Sequence, residues 1–286
     1  MKFRSSMFLA LAMFWCVSAY AQQAPQPLTH WSVYAVKPGK EEDFLNLVKA
    51  VGQPVRDKLM ADGVVLAWGV EVSMLRGHDE GTHAIWYTVA DWSGIQKVES
   101  GIAAQVAKLD ADDAKAAADG KKKSAKPAAG TMERLRDAVD FPKTKDYITR
   151  DLLFVPGQTM PPAGSLPFVR YNFIKVKPGK AQAYRAAFDK YNKPVLDKLV
   201  ADGTLVAYGL AVEEVKTTGD FTHYVWFAVN NLDGFEKLRN AFVADRDRRS
   251  AEEREAITEA FTHAIDPDAA RSELDRHLIF RVAGQK

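Results

Sequence analysis

The stretch YAVKPGKEEDF, beginning at Tyr34, is answered by IKVKPGKAQAY, beginning at Ile174. Held at this 140-residue offset, residues 28–97 align with 168–237 without a gap. Roughly 22 of about 70 aligned positions are identical. A repeat of that length is a whole domain written twice, not a short solenoid unit. The landmarks keep their order. VKPGK starts at Val36 and Val176, DKLMADG at Asp57 answers DKLVADG at Asp197, AWG at Ala67 answers AYG at Ala207, and THAIW at Thr82 answers THYVW at Thr222.

Each copy predicts the same elements. LTHWSVYAV and FVRYNFIKV are rich in β-branched and aromatic residues and predict strands. Pro-Gly in KPGK predicts a turn. Phe44, Leu47, Val48, Val51, Val55 and Leu59 recur at helical spacing, as do Tyr184, Ala187, Phe188, Tyr191, Val195 and Leu199. Pro54 and Pro194 should kink these helices or split off the last turn. Gly63 and Gly203 suit left-handed C-caps. Two strands follow in each half, then a second helix from near Ser93 and Asp233. A closing strand is expected at DLLFV (Asp151) and HLIFR (His277). The order is β-α-β-β-α-β twice, the ferredoxin-like arrangement. Residues 110–130, rich in Ala, Lys and Asp with no apolar stripe, predict a mobile loop, and Lys121–Lys123 a solvated charge run. Residues 250–263 predict a helix replacing that loop in the second half. Residues 156–167 link a first repeat (22–155) to a second (168–286).

The first 21 residues have the pattern of a secretory signal: Lys2 and Arg4, an apolar run too short to span a bilayer comfortably, then Ala19-Tyr20-Ala21 before Gln22. The chain is therefore expected in the periplasm or secreted, with no stable membrane insertion after cleavage. Its one cysteine, Cys16, lies inside that segment, so a mature chain has no thiol for disulfide, thiolate ligation or nucleophilic catalysis. The formal charge of +2 comes down to Lys2 and Arg4, and the remainder is neutral. A neutral surface exerts no general pull on nucleic acid. GxSxG, GxGxxG and P-loop patterns are absent from the sequence, which argues against a nucleophile-elbow hydrolase or a nucleotide site. DADDA at Asp110 and DPDAA at Asp266 lack EF-hand spacing, and Asp266-Pro267-Asp268 reads as a turn and helix N-cap.

The hhxVKPGKxxxF/Y strand-turn-helix phrase, together with third strands running into TVADWSGI and AVNNLDGF, resembles the dimeric α/β-barrel superfamily, which includes antibiotic-biosynthesis-monooxygenase-like and NIPSNAP-like proteins. The resemblance covers nearly all of the mature chain, once per half. It implies α+β architecture, with two tandem ferredoxin-like repeats packing face to face as one pseudo-dimeric barrel. It also implies that the first strand turns His30, Ser32 and Tyr34 inward, facing Arg170, Asn172 and Ile174. On the third strands, His83, Ile85, Tyr87 and Val89 would face His223, Val225, Phe227 and Val229 across the interior. Trp86 and Trp226 would then lie beneath the helices. Asn172 aligns with the asparagine that haem-degrading members use to orient ligand and oxygen. Their third-strand tryptophan, however, falls on Val89 and Val229, and their second-helix histidine has no counterpart here.

His83 and His223 are accordingly the candidate catalytic pair, as bases or ligand contacts. The alternative is a pair of strand histidines carried along by duplication. His30, Ser32, Tyr87, Arg170 and Asn172 are the candidate ligand contacts. No metal site and no cofactor are expected. The expected activity is binding of a small apolar or aromatic molecule, with cofactor-independent monooxygenase-like chemistry as its catalytic form. The alternative is a non-catalytic module with a filled barrel. A cavity of about 300 Å³ or more would favour a ligand, whereas Tyr34, Tyr87 and Phe227 meeting at the centre would favour the filled barrel. Either a monomer or a homodimer is compatible with the sequence.

Overall fold

The computed structural model describes residues 26–75, 81–119, 129–157, 166–216, 219 and 221–284. The expected leader with Cys16, the Lys121–Lys123 run and residues 158–165 of the linker lie outside the described residues. Eight strands are present among the latter: β1 (Leu28–Tyr34), β2 (Val65–Ser73), β3 (His83–Val89) and β4 (Lys145–Pro156), then β5 (Phe168–Val176), β6 (Ala207–Val215), β7 (His223–Val229) and β8 (Ile265–Val282). They close into a barrel in the order β1-β3-β2-β8-β5-β7-β6-β4. Within each half the order is β4-β1-β3-β2 or β8-β5-β7-β6, and every pair is antiparallel. The last strand of each half runs on past its own sheet to pair with the other: β4 with β6, and β8 with β2. Closure leaves no unpaired sheet edge.

Helices cover the outside. The first long helix of each half is broken where the sequence places proline. Helix α1 (Glu41–Leu47) passes through a π-turn at Val48–Gly52 into α2 (Gln53–Ala61), and α5 (Ala181–Ala187) through Phe188–Asn192 into α6 (Lys193–Ala201). Pro54 and Pro194 lack an N–H, and their rings crowd the preceding turn, so that turn widens. Gly63 and Gly203 end these helices at φ +74° and +78°, conformations that other L-residues adopt rarely. The repeated motifs also explain one another. Asp57 accepts from Trp68 Nε1 at 2.9 Å, and Asp197 from the Tyr208 hydroxyl at 2.5 Å, so the DK-ADG and AWG/AYG phrases clamp helix to strand.

Three expectations need correction. Helix α3 runs Trp92–Ala118, so residues 110–118 are helical and not loop. Alanine is the strongest helix former, and a missing apolar stripe marks an exposed helix as readily as a loop. The Asp110 carboxylate accepts from Thr131 N at 2.7 Å, where α4 (Thr131–Ala138) begins. Both halves also carry a helix at the place read as unique to the second. α4 and α8 (Ala251–Ala264) each end on a carbonyl that accepts the lysine N–H of VKPGK: Lys37 to Ala138 at 2.9 Å and Lys177 to Ala264 at 2.8 Å. Finally, no helix follows Asp266-Pro267-Asp268. The segment lies in β8, where the register jumps from Phe173↔Arg271 to Lys175↔Asp266 and Asp268 N donates to Asp266 Oδ1 at 3.3 Å.

Between helices and barrel lie the largest side chains. Phe44, Trp68, Val70 and Tyr87 fill the first half, and Phe188, Leu196, Tyr208 and Leu210 the second, with α7 (Asp233–Asp247) over the latter. Each such burial contributes about 1.5–3 kcal/mol. The halves hold themselves together outside the barrel as well as within it. That leaves the barrel interior free to be something other than core.

Candidate functional site

At one end of the barrel the inward face of β2 and β6 is made of small residues. Ala67 and Gly69 on β2 are matched by Ala207 and Gly209 on β6. The small residues leave space, and the two tryptophans use part of it. A Cβ at Gly69 would stand 2.8 Å from the Trp86 ring, and one at Gly209 would stand 2.4 Å from Trp226 Nε1. Each indole lies flat against the wall over its glycine. A phenylalanine from the other half's last strand meets it: Phe154 stacks on Trp226 at 5.9 Å, and Phe280 tilts against Trp86 at 6.2 Å.

These walls enclose a chamber of about 390 Å³ at the barrel end formed by Pro27, Leu66, Val206 and Ala283. Trp31, Tyr171 and Tyr224 form its floor. On their far side is a second space of about 70 Å³, lined among others by Lys145, Arg271, Glu273 and Asp275. The floor is tightly built. Trp31 meets Tyr171 edge-on at 5.3 Å, and the Tyr224 hydroxyl lies 3.1 Å from Thr149 Oγ1.

The titratable groups on and behind the chamber wall differ between the halves, with Glu71 behind the wall and His277 and Asp151 lining it. Glu71, fully buried, accepts from Trp86 Nε1 at 2.9 Å and from the Tyr171 hydroxyl at 2.9 and 3.1 Å. Burial and the adjacent Glu71 carboxylate push the Tyr171 phenol well above its ordinary range, so it stays a donor. His277 stands opposite Glu71 across β8 and β2. Its Nδ1 lies 2.9 Å from the Pro167 carbonyl. A carbonyl only accepts, so Nδ1 carries the proton. Nε2 faces Glu71 Oε1 at 2.8 Å, close but off the hydrogen-bond axis.

In the other half Asp151 takes the place of His277, and Ala211 stands opposite it where Glu71 would be. Asp151 lines the chamber and has no hydrogen-bond or ion-pair partner among the described residues. Burial raises its carboxyl pKa to about 7.

The expected inward set faces the other way. His30 stacks on Tyr87 at 5.1 Å, and the Tyr87 hydroxyl donates to Glu99 of α3 at 3.0 Å, so both lie under the helices. Burial lowers the His30 pKa. Ser32 donates to Asp146 at 2.6 Å, and Asn172 accepts from Ser272 at 2.7 Å. Arg170 is exposed. His83 packs on Phe44 of α1 at 5.4 Å and His223 on Tyr184 of α5 at 5.7 Å. Strands β3 and β7 are on opposite sides of the barrel, so the two histidines do not converge. The Thr-His phrase has a structural use. Thr82 Oγ1 accepts from Val36 N at 3.0 Å and Thr222 Oγ1 from Val176 N at 2.8 Å, with each histidine Nδ1 at 3.0 Å from its threonine hydroxyl. Conversely, Trp86 and Trp226, expected beneath the helices, wall the chamber. Both faces of these strands are apolar, so period-two alternation separates the faces without saying which is inside. The small residues of AWG and AYG were the sequence signal that distinguishes them.

No group of three or more His, Cys, Asp or Glu able to hold a metal ion occurs among the described residues. Haem does not fit the residues present. His277 is the chamber's histidine, and its two ring nitrogens face Pro167 O and Glu71, leaving none for iron. Among the described residues no helix is long and apolar enough to cross a membrane.

No protein-family model and no curated protein matches this chain. Solved structures do. A protein from Fusobacterium nucleatum subsp. nucleatum, named a putative monooxygenase, is similar over 91% of this chain and 96% of its own, with a TM-score of 0.57 and 11% identity. Another protein so named, from Lactobacillus acidophilus, covers 91% and 98%, with a TM-score of 0.53 and 9% identity. A heme-binding protein from Thermus thermophilus covers 89% and 92%, with a TM-score of 0.51 and 8% identity. Identity this low speaks to fold. The fold is the dimeric α/β barrel, with both of its ferredoxin-like halves supplied by one chain.

Proposed function

We propose that this chain binds a small, planar, largely apolar molecule in the chamber between Trp86 and Trp226. The observation that carries this is the cavity itself: about 390 Å³, walled by two tryptophans and two phenylalanines, within the range of small-molecule sites. The filled-barrel alternative needed Tyr34, Tyr87 and Phe227 at the centre, and Tyr87 and Phe227 pack under the helices. The catalytic form of this reading is cofactor-independent monooxygenase-like chemistry. It is supported by the names of the two bacterial neighbours and by Asp151, a carboxyl near neutral pKa that can take a proton from a bound ligand. We read the halves as a tandem duplication, on the strength of their matched positions, and the protein as exported after cleavage at Ala21, on the strength of its first residues.

The test is a fluorescence titration with N-phenyl-1-naphthylamine, a neutral apolar probe, on the full chain and on Ala67→Phe, which fills the chamber with a ring. Saturable one-site binding lost in Ala67→Phe is expected. Binding that Ala67→Phe leaves unchanged would remove the chamber as the site. Native mass spectrometry of exported protein would report both the cleavage and any retained molecule.

A further inference from the structure

The chamber walls repeat each other in their aromatic residues but not in their polar ones, and one of the polar differences points to the ligand. Trp86 and Trp226 are equivalent under the 140-residue offset, as are Glu71 and Ala211. In the first of these pairs of positions the circuit is closed. Glu71 accepts from Trp86 Nε1 and faces His277. In the second it is open. Ala211 offers no acceptor, and neither Trp226 Nε1 nor the Asp151 carboxyl has a hydrogen-bond partner among the described residues. Both residues line the same chamber. They occupy adjacent rows of one wall: Asp151 opposite Ala211, and Phe154 opposite Gly209, itself opposite Trp226.

An indole N–H can only donate, and an ionised carboxylate can only accept. Leaving both unpaired in an apolar chamber costs free energy that a ligand can recover. One ligand group satisfies both: a hydroxyl donates its proton to the carboxylate while its oxygen accepts from the indole. We propose that Asp151 and Trp226 form a recognition edge for an aromatic hydroxyl, so that the occupant of the chamber is a phenol or fused-ring phenol and not a plain hydrocarbon. This rests on the chamber being a ligand site. The aromatic faces of Trp226 and Phe154 then hold the ring while the edge sets its orientation. The other titratable groups facing this space are Tyr171 and Tyr224, both held protonated by burial, and His277 on the opposite wall.

Three probes of near-identical shape separate the possibilities: 2-naphthol, 2-methoxynaphthalene and naphthalene, titrated against the full chain at pH 8. The unaltered chain is expected to bind 2-naphthol about tenfold or more tighter than 2-methoxynaphthalene, the size of one hydrogen bond to a charged group. Asp151→Leu should bring that ratio close to one while naphthalene binding holds. Trp226→Phe, which keeps a ring and removes the N–H, should lower the ratio by several-fold and guards against a folding artefact in the first variant. Equal binding of the three probes by the unaltered chain would overturn the recognition edge while leaving the chamber as a site. A preference for 2-naphthol that survives both substitutions would also overturn it, by placing the hydroxyl elsewhere. Failure of all three probes to bind would overturn the edge and the chamber together.

Discussion

Gly209 lies so close under the Trp226 indole that a Cβ at this position would stand 2.4 Å from Nε1. No side chain fits there unless the indole moves. Phe154 stacks on Trp226, and the chamber is the free direction. Gly209→Ala is therefore expected to push the ring inward. The cost should be about 1–3 kcal/mol, typical of overpacking, read as a lower urea midpoint at unchanged slope. Affinity for a chamber probe should fall with it. An Ala variant of full stability and full affinity would mean that the wall is softer than its packing indicates.

Glu71 is a carboxylate with no exposed surface. Trp86 and Tyr171 donate to it from two other strands, and His277 stands beside it on a third. Removing it strands both donors. Glu71→Ala should cost about 3–5 kcal/mol, the usual penalty for breaking a buried charged network by deleting one partner. Glu71→Gln keeps the shape and one acceptor oxygen and should cost less, about 1–3 kcal/mol. Chemical denaturation of both variants checks the order. A Gln variant as unstable as the Ala variant would show that charge, not acceptance, holds the site.

Much of the fold was legible because the sequence writes it twice. A motif such as VKPGK or ADG is ambiguous once, but the same order of motifs 140 residues apart fixes the elements and their number. The chamber was less legible. Trp31 and His30 are neighbours on one strand with comparable apolar surroundings, and nothing in their alternation says which points to the helices. Face assignment is a tertiary property here, set by where volume is missing. That volume is missing at Ala67, Gly69, Ala207 and Gly209, and the bulky residues between them, Trp68 and Tyr208, point outward. Asp151 was legible as a strand residue but not as a site residue. Its significance comes from Ala211 on another strand, a relation that only the register supplies.

Asp151 should leave a mark on stability as well as on binding. Burial raises its folded pKa from 3.8 to about 7. Between those values the unfolded chain binds fewer protons than the folded one, so this group makes stability fall as pH rises from about 4 to about 7. Asp151→Asn removes the ionisation and keeps the shape. It is expected to stabilise by about 2–4 kcal/mol at pH 8, and to have little effect at pH 4. Urea denaturation of both proteins at the two pH values decides it. An Asn variant that is no more stable at pH 8 would mean that the carboxylate is solvated or paired, and would weaken its role as a poised group.

His223 works in the opposite sense. Packed against Tyr184 and beside the Thr222 hydroxyl, it has its pKa lowered by burial from 6.5 to about 4. The unfolded chain then binds the extra proton first. The stability this neutral histidine contributes is fully present above pH 6.5 and is lost as pH falls through that value towards 4. Its slope therefore opposes that of Asp151 over the same range, and the intact protein is expected to show a flatter profile than either group alone would give. His223→Leu should unmask the difference. Relative to the unaltered chain, the variant should lose stability at pH 7 through its broken threonine contact, and should recover about 2–3 kcal/mol of that deficit at pH 4. A deficit that stays constant with pH would show that His223 protonates as easily in the folded protein as in the unfolded one. The matched Thr-His pairs would then be fastening the ends of β1 and β5 without any titration of their own.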